Sequence, residues 1–441
     1  MNFSTQVEDN LGLKQTEHKI QSTQAEIVIV GLGYVGLPLC IEFSKVGFNV
    51  TGIDINPSKV EILNSGKSYI PDVTDTDLKS SIEEGKFKAV SDYSPLKSAD
   101  VIIICVPTPL NKTREPDISY IINTSVQIAH NIKKGQVIIL ESTTYPGTTE
   151  EVILPMLEEK GGVVGKDFCL AFSPERIDPG NCHFSTSTIP KIVGGVTPRC
   201  TELANVVYGS IIEKIVVVSS SRVAEMAKLL ENTFRAVNIG LVNELALMCA
   251  KLNINVWEVI EAAATKPFGF MPFYPGAGLG GHCLPIDPIY LAWKAKLHAF
   301  ESRFIELASQ VNAYMPHYVV ERITAILNEM SKPVKGSKLL ILGVTYKKNV
   351  NDTRESPALD IIKLLNDKGA VIQFYDPYVT TLDLSQWTEL TPEVLRKQDL
   401  TVLITDHDQL DYDLIVKNSR IIFDTRNVLR NYRYDSNIIR I

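Results

Sequence analysis

The chain has 441 residues, 45% of them hydrophobic, and a formal net charge of −7 at pH 7. That length supports two or three domains, each with its own core, while the acidic balance speaks against a general nucleic-acid or anionic-membrane partner. No run of about 18 apolar residues is present to span a bilayer, and seven widely spaced cysteines without a CxxC pair argue against a disulfide framework or a structural zinc and for a reducing cytoplasm. Residues 1–24 are polar and mixed in charge, lack the apolar core of a secretory signal, and read as a flexible N-terminal extension.

From residue 25 the pattern is that of a dinucleotide fold. Glu26-Ile27-Val28-Ile29-Val30 predicts a strand that leads into Gly31-Leu32-Gly33-Tyr34-Val35-Gly36, after which Leu39, Cys40 and Phe43 continue at helical spacing. A second apolar run ends in Asp54, about 20 residues further on, the context that makes this glycine pattern credible. Gly31 permits the tight turn, Gly33 lets a pyrophosphate approach the amides at the helix N-terminus, and Gly36 lets helix and strand pack closely. Asp54 can accept hydrogen bonds from ribose hydroxyls and repels a 2′-phosphate, so NAD is expected over NADP. The run Ala99–Cys105, stopped by Val106-Pro107-Thr108-Pro109, reads as a central parallel strand buried on both faces, with ligand expected at its carboxyl end. Further strands are predicted at 136–140, running into Thr143; at 168–172, running into Ser173-Pro174-Glu175-Arg176-Ile177; at 191–194; and at 214–218.

At Arg222 the pattern turns helical and continues to about Asn253. It is apolar over much of its circumference, so it is expected to be buried between domains and against a partner subunit. Lys228 and Asn232, four apart, share one helical face. The loop Pro275-Gly276-Ala277-Gly278-Leu279-Gly280-Gly281-His282-Cys283 leaves backbone amides uncovered and leads into a thiol, with Asp287 four residues beyond. A loop of this kind presents a nucleophile to a small anionic substrate. Phe273 and Tyr274, just upstream, either stack on a ligand or pack the loop. Past the breaker-rich link 331–336, a strand at 338–343, a helix at 357–365 and a strand at 370–377 repeat the opening layout without a full glycine fingerprint. The loop between them holds Tyr346, Lys347 and Arg354, and Arg426 follows a later strand at 421–423. The expected fold class is α/β: two Rossmann-like doubly wound domains, 25–218 and 331–441, joined by a central long-helix domain, 219–330.

These motifs, above all Gly280-Gly281-His282-Cys283, resemble the nucleotide-sugar 6-dehydrogenases over nearly the whole chain, from about Ala25 to about Leu429. The resemblance implies an NAD-dependent, four-electron oxidation of the primary alcohol of a UDP-sugar to a carboxylate, through a thiohemiacetal and a thioester on Cys283. It implies that Tyr34 and Val35 lie with the fingerprint glycines against the cofactor, that Val106, Pro107, Thr108 and Thr143 line its nicotinamide side, and that Thr143 is also near the reacting carbon. Glu175 would face the substrate and assist proton movement or water attack, with the main chain of Arg176 and Ile177 on the sugar diphosphate. Lys228 would stabilise the developing negative charge, Asn232 would orient the sugar hydroxyl or the water, and Asp287 would position the water or Lys228. Phe273, Tyr274, Gly276 and Gly280 would form the substrate loop, Tyr346 and Lys347 would hold the diphosphate or sugar, Arg354 would reach the cofactor across the domain cleft, and Arg426 would be a further substrate-side cation. His282 is given no catalytic role, because adjacent loop residues usually point apart. No metal is expected, and the expected partners are a UDP-sugar and a second copy of the chain in a homodimer through the middle helices.

Ile286 before Asp287 and His282 before Cys283 depart from the glucose branch and resemble the branch that oxidises UDP-N-acetyl-hexosamines. The run Leu279 to Pro288, followed by Tyr290 and Trp293-Lys294-Ala295, is more similar to the UDP-N-acetylglucosamine enzymes than to the N-acetylmannosamine ones, with a product that would feed surface polysaccharide synthesis. UDP-N-acetylmannosamine and UDP-glucose stand as alternatives. A non-catalytic nucleotide-sugar sensor, or a single-step hydroxyacid dehydrogenase, would have no need of Cys283.

Overall fold

The structure is a computed structural model that describes residues 11–176, 187–281, 283–432 and 435–441, so that Ile177 and His282 lie outside it. The chain divides into two compact units, Met1–Glu231 and Asn232–Ile441.

The first unit is built on β1 (Glu26–Val30), β2 (Asn49–Ile53), β3 (Phe87–Val90), β4 (Val101–Ile104), β5 (Val137–Leu140), β6 (Cys169–Phe172), β7 (Lys191–Gly195) and β8 (Ile215–Val217). They form one sheet in the order β3-β2-β1-β4-β5-β6-β7-β8, in which only the β6–β7 pairing is antiparallel. Strands β4, β5 and β6 are buried at every position, as their uninterrupted apolar sequences require when helices cover both faces. Alternate residues divide between two cores: Ile27, Ile29 and Ile103 on one face, Val28, Val30, Ile102 and Ile104 on the other.

The expectation of a flexible extension over residues 1–24 is corrected from Leu11 onward. Leu11–Gln21 is a helix whose Leu13, Thr16 and Ile20 are buried. Two ion pairs hold it, Lys19 Nζ to Asp100 Oδ1 at 2.8 Å and Arg199 Nη2 to Glu17 Oε2 at 2.6 Å. The apolar spacing was too sparse to announce this helix, and docking supplies what propensity does not.

The helix Ser221–Leu252 begins in the first unit and continues into the second. There the helices Val256–Ala264, Asp287–Leu297 and Arg303–Glu329 precede a second sheet. Its strands are β9 (Lys338–Leu342), β10 (Val371–Tyr375), β11 (Gln386–Trp387), β12 (Leu400–Leu403), β13 (Ile422–Asp424) and β14 (Ile438–Arg440), in the order β11-β10-β9-β12-β13-β14, all parallel. Both sheets are doubly wound, with the strand order reversing between β1 and β4 in the first and between β9 and β12 in the second. At such a switch point the loops at the carboxyl ends diverge and leave a crevice for a ligand.

Candidate active site

In the first unit the candidate residues gather at the carboxyl ends of the parallel strands. Gly31 closes β1 with φ +98°, and a Cβ added there would lie 2.4 Å from the carbonyl oxygen of Cys105, in the loop that follows β4. Gly36 opens the helix Gly36–Lys45, where a Cβ would lie 1.9 Å from Gly31 O, so the turn closes only on glycine. Gly33 differs: a Cβ there would meet nothing within 4 Å, so open space lies over the middle of the turn. Asp54, just past β2 and 9% exposed, accepts hydrogen bonds from the Leu32 amide at 3.2 Å and the Asn56 amide at 3.0 Å, and Lys59 Nζ lies 3.7 Å away. An oriented carboxylate beside an uncovered glycine turn fits the ribose and pyrophosphate of a dinucleotide. Val106, Pro107 and Thr108 follow β4 directly, Thr143 follows β5, and Glu175 and Arg176 follow β6.

Below these loops lies a charged group that the sequence did not announce. Lys191, the first residue of β7, donates to Glu141 Oε1 and sits 3.3 Å from Glu175 Oε2, while Tyr208 Oη donates to Glu141 Oε2 at 2.5 Å. Burial pushes the Glu141 carboxyl up to about 8, against the pull of the Lys191 ammonium. Arg176 is drawn to Glu231, Nη2 to Oε1 at 2.7 Å, and to the carbonyl of Pro190 at 2.6 Å. Glu225, one helical turn before Lys228, accepts from the amides of Gly147 and Thr149 and from Thr149 Oγ1 at 2.6–2.9 Å, tying the loop after β5 to the long helix. Lys228 itself is only 8% exposed and has no hydrogen-bond or ion-pair partner among the described residues of its unit. For Glu141 and Lys191 the one local signal was a charged residue at the end of an apolar strand.

In the second unit Asn232 Nδ2 donates to Asp287 Oδ2 at 2.5 Å, with both residues buried. Asp287 opens the helix Asp287–Leu297, where a carboxylate suits the helix dipole. Its amide and that of Ile286 both donate to the carbonyl of Cys283, at 2.9 and 3.1 Å, so the exposed Cys283 sits in the turn that delivers Asp287 to Asn232. The upstream end of the loop is clamped by a chain of buried amides. Gly276 N–H donates to Asn243 Oδ1 at 3.0 Å, Asn243 to Asn312 Oδ1 at 2.9 Å, and Asn312 to the carbonyl of Ala236 at 3.0 Å.

The loop glycines are set by close neighbours. A Cβ on Gly281 would lie 2.7 Å from the Tyr346 ring, one on Gly280 2.7 Å from Tyr346 Cβ, and one on Gly276 2.6 Å from Arg426 Nη1. The nucleophile loop, Tyr346 and Arg426 therefore share one place, beside a cavity of about 290 Å3 whose wall includes Gly278, Lys347, Lys348, Asp406 and Arg426. It opens at the switch point between β9 and β12. Arg426 Nε is 3.3 Å from Asp406 Oδ1. The rings of Phe273 and Tyr274 pack on protein: Phe273 edge-on to Phe234 at 5.7 Å and Tyr274 stacked on Trp257 at 6.0 Å. Arg354 stands apart from the cavity wall, forked onto Asp352 of its own loop at 2.7–3.2 Å and more than half exposed.

A glycine fingerprint with its acid, and a second doubly wound sheet carrying a cation-lined cavity beside a cysteine loop, define a dinucleotide-dependent oxidoreductase. Three profiles of one family match in succession: the NAD binding domain of the UDP-glucose/GDP-mannose dehydrogenase family over residues 25–212, its central domain over 222–314 and its UDP binding domain over 340–431. The chain is 37% identical over 369 residues to the UDP-N-acetyl-D-glucosamine 6-dehydrogenase of Pseudomonas aeruginosa, covering 83% of this chain and 86% of that one. It is 36% identical over 411 residues to the UDP-N-acetyl-D-mannosamine dehydrogenase of Pyrococcus horikoshii, covering 92% and 96%. The solved structure of a UDP-D-ManNAc dehydrogenase from Pyrococcus horikoshii superposes with a TM-score of 0.85 at 34% identity, over 94% of this chain and 98% of that one.

The chain belongs to the UDP-glucose/GDP-mannose dehydrogenase family. That family consists of NAD-dependent sugar-nucleotide dehydrogenases, so the chemistry is oxidoreduction and the cofactor is NAD. Among the described residues no helix is long and apolar enough to cross a membrane, and no cluster of His, Cys, Asp and Glu could hold a metal ion.

Proposed function

We propose that the chain oxidises the 6-hydroxyl of UDP-N-acetylglucosamine to the carboxylate, making a uronate precursor for a surface polysaccharide. The observation that carries this reading is the Asn232–Asp287 contact at the foot of the Cys283 turn, beside a cation-lined cavity of the same unit. A dehydrogenase that stopped at the aldehyde or ketone would need no thiol there. The division of labour follows the expected domains: 25–218 for the dinucleotide, 219–330 for the nucleophile loop and 331–441 for UDP.

In this reading Arg426 and Lys347 meet the diphosphate, Arg426 with its planar fork, while Tyr346 and the loop from Phe273 and Tyr274 through Gly276 and Gly280 enclose the sugar. The main chain at Arg176 and Ile177 is assigned to the sugar diphosphate as well, and Arg354 to the cofactor. NAD, held at Gly31, Gly33, Tyr34, Val35, Gly36 and Asp54 with Val106, Pro107, Thr108 and Thr143 along its nicotinamide side, supplies the hydride acceptor for each oxidation. Lys228, a buried cation without a counter-ion among the described residues of its own unit, offsets the negative charge that develops on the sugar oxygen. Cys283 Sγ bonds to the aldehyde carbon, and the thiol proton passes to the new oxyanion. Loss of the second hydride and of the hydroxyl proton leaves a thioester. Asn232 and Asp287 orient a water molecule, and Glu175 takes its proton as the water oxygen attacks and the carbon–sulfur bond breaks. One alcohol, one water and two NAD become one carboxylate, two NADH and three protons.

A homodimer is part of the proposal. Met226, Leu230, Phe234, Leu241, Met248 and Leu252 recur along one face of the long helix and are 40–60% exposed. An apolar stripe of that length suits a second copy of the same helix. The N-acetylmannosamine reading has support in the 36% identity over 92% of the chain. The test is to mix the protein with NAD and each of UDP-N-acetylglucosamine, UDP-N-acetylmannosamine and UDP-glucose. Two NADH per sugar, with the highest kcat/KM for UDP-N-acetylglucosamine, is expected. Equal or better use of another sugar reverses the assignment, and full four-electron turnover by Cys283→Ser removes the thioester.

A further inference from the structure

The antiparallel turn of β7 has a chemical result. It pairs Phe172 with Gly194 and Ala171 with Gly195. Continuing that register past the end of β6 sets Glu175 opposite Lys191, and their side chains meet, Nζ to Oε2 at 3.3 Å. The other oxygen of Glu175 accepts from the Arg176 amide at 2.7 Å. Lys191 is 5% exposed, and its ammonium also contacts Glu141 and lies 4.9 Å from the centre of the Tyr208 ring. Glu141 is itself held by Tyr208 Oη. One buried ammonium therefore faces two carboxylates, and burial makes each dependent on it. Among the described residues Glu141 and Glu175 also face each other, and the other charged or titratable groups against this cluster include Cys105 after β4, whose thiol burial and Glu141 push well up, and the Arg176–Glu231 pair.

We propose that Lys191 is a positioning residue for Glu175, fixing the direction of its carboxylate and balancing its charge, and that Glu141, braced by Tyr208, anchors Lys191. The inference rests on the reading of Glu175 as the group that takes the water proton. Removing Lys191 alone would leave Glu141 buried without a cation, so the decisive protein is the double variant Lys191→Met with Glu141→Gln, measured beside Glu175→Gln, Glu141→Gln and Lys191→Arg. The readout is kcat against pH, with the UDP-sugar that turns over best.

Loss of an opposite charge at this distance moves a carboxylate up by about one unit or more. The acid limb of the double variant is therefore expected to move up by that amount, with KM for NAD changed less than about twofold. Lys191→Arg, which keeps the cation, leaves the limb near its original place. Glu141→Gln, which gives Lys191 to Glu175 alone, leaves the limb unmoved or moves it down; an upward move there overturns the proposal, even if the double variant does not fold. A double-variant limb at the wild-type position, while Glu175→Gln has lost the limb, overturns the role of Lys191 and leaves that of Glu175 standing. Wild-type kcat and an intact limb in Glu175→Gln overturn the reading of Glu175 itself.

Discussion

Both sheets close their first strand with a positive-φ glycine, Gly31 at +98° and Gly343 at +79°, and in both an added Cβ would lie 2.4 Å from the carbonyl oxygen of a residue following the fourth strand, Cys105 or Thr405. In both, an acid follows the second strand and accepts from the amide after that glycine: Leu32 to Asp54 at 3.2 Å, Val344 to Asp376 at 2.8 Å. Each acid also accepts from the amide two residues further on, Asn56 or Tyr378. The likeness stops there. Asp54 reaches the edge of its crevice, with Lys59 beside it. Asp376 is shut in against His407, Oδ2 to Nε2 at 3.0 Å, and His407 Nδ1 accepts the Asn349 amide at 3.0 Å. An acid that can serve a ribose in one unit braces, in the other, the loop that carries Tyr346 and Lys347. The first unit also starts a helix within its glycine turn, whereas the second inserts the long loop 344–356 before its helix Pro357–Asp367. The shared skeleton sets where a ligand can sit, and the acid and the loop set which ligand it is.

The sharpest way to break this comparison is at the two glycines. Gly31→Val is expected to weaken NAD binding at least about a hundredfold in calorimetry while UDP binding persists, and Gly343→Val to do the reverse, because each branched Cβ is driven into a carbonyl at positive φ. Loss of both ligands in either variant would show that the two crevices are not independent. His407→Ala leaves the buried Asp376 with its two amide donors but without its side-chain donor, so a stability loss of about 2 kcal/mol is expected in denaturant melts, with KM for the UDP-sugar raised about tenfold and KM for NAD little changed. Asp54→Asn is expected to raise KM for NAD about tenfold and to narrow the preference over NADP, as the ribose acceptor and the repelling charge go together. A fixed preference would mean that Asp54 does not touch the ribose.

The smallest effect expected is in the response to pH. Burial moves Glu141 up to about 8 and Glu225 up to about 7, whereas Asp376 is held down, against its own burial, by His407 and Asp399 by Lys332 and the Lys338 amide. A carboxyl moved up binds its proton more tightly in the folded state, so it adds stability that is lost as pH rises through the folded value. One moved down adds stability that is lost only as pH falls through the folded value. Between pH 6 and 8, hydrogen exchange corrected for intrinsic rates should therefore quicken in β5 and β6 and hold steady in β9 and β10. Equal quickening in both sheets would break the contrast.

The sequence by itself determined the parts that a short window can hold. The apolar runs at β1, β4 and β9, the glycine turn ahead of Asp54, and the loop ending in Cys283 were legible because strand, turn and nucleophile lie within a few residues of one another. The packing of Phe273 on Phe234 and of Tyr274 on Trp257 was left open, since an aromatic in a loop carries no sign of what its ring will touch. The N-terminal helix went unread because its anchors, Asp100 and Arg199, lie 81 and 182 positions from Lys19 and Glu17. The ammonium of Lys191 meets Glu141 across 50 positions and Glu175 across 16, and His407 meets Thr345 across 62. Those choices belonged to the tertiary structure alone, because which charges share a dry pocket is settled by how strands are ordered in a sheet, and no local stretch of chain contains that order.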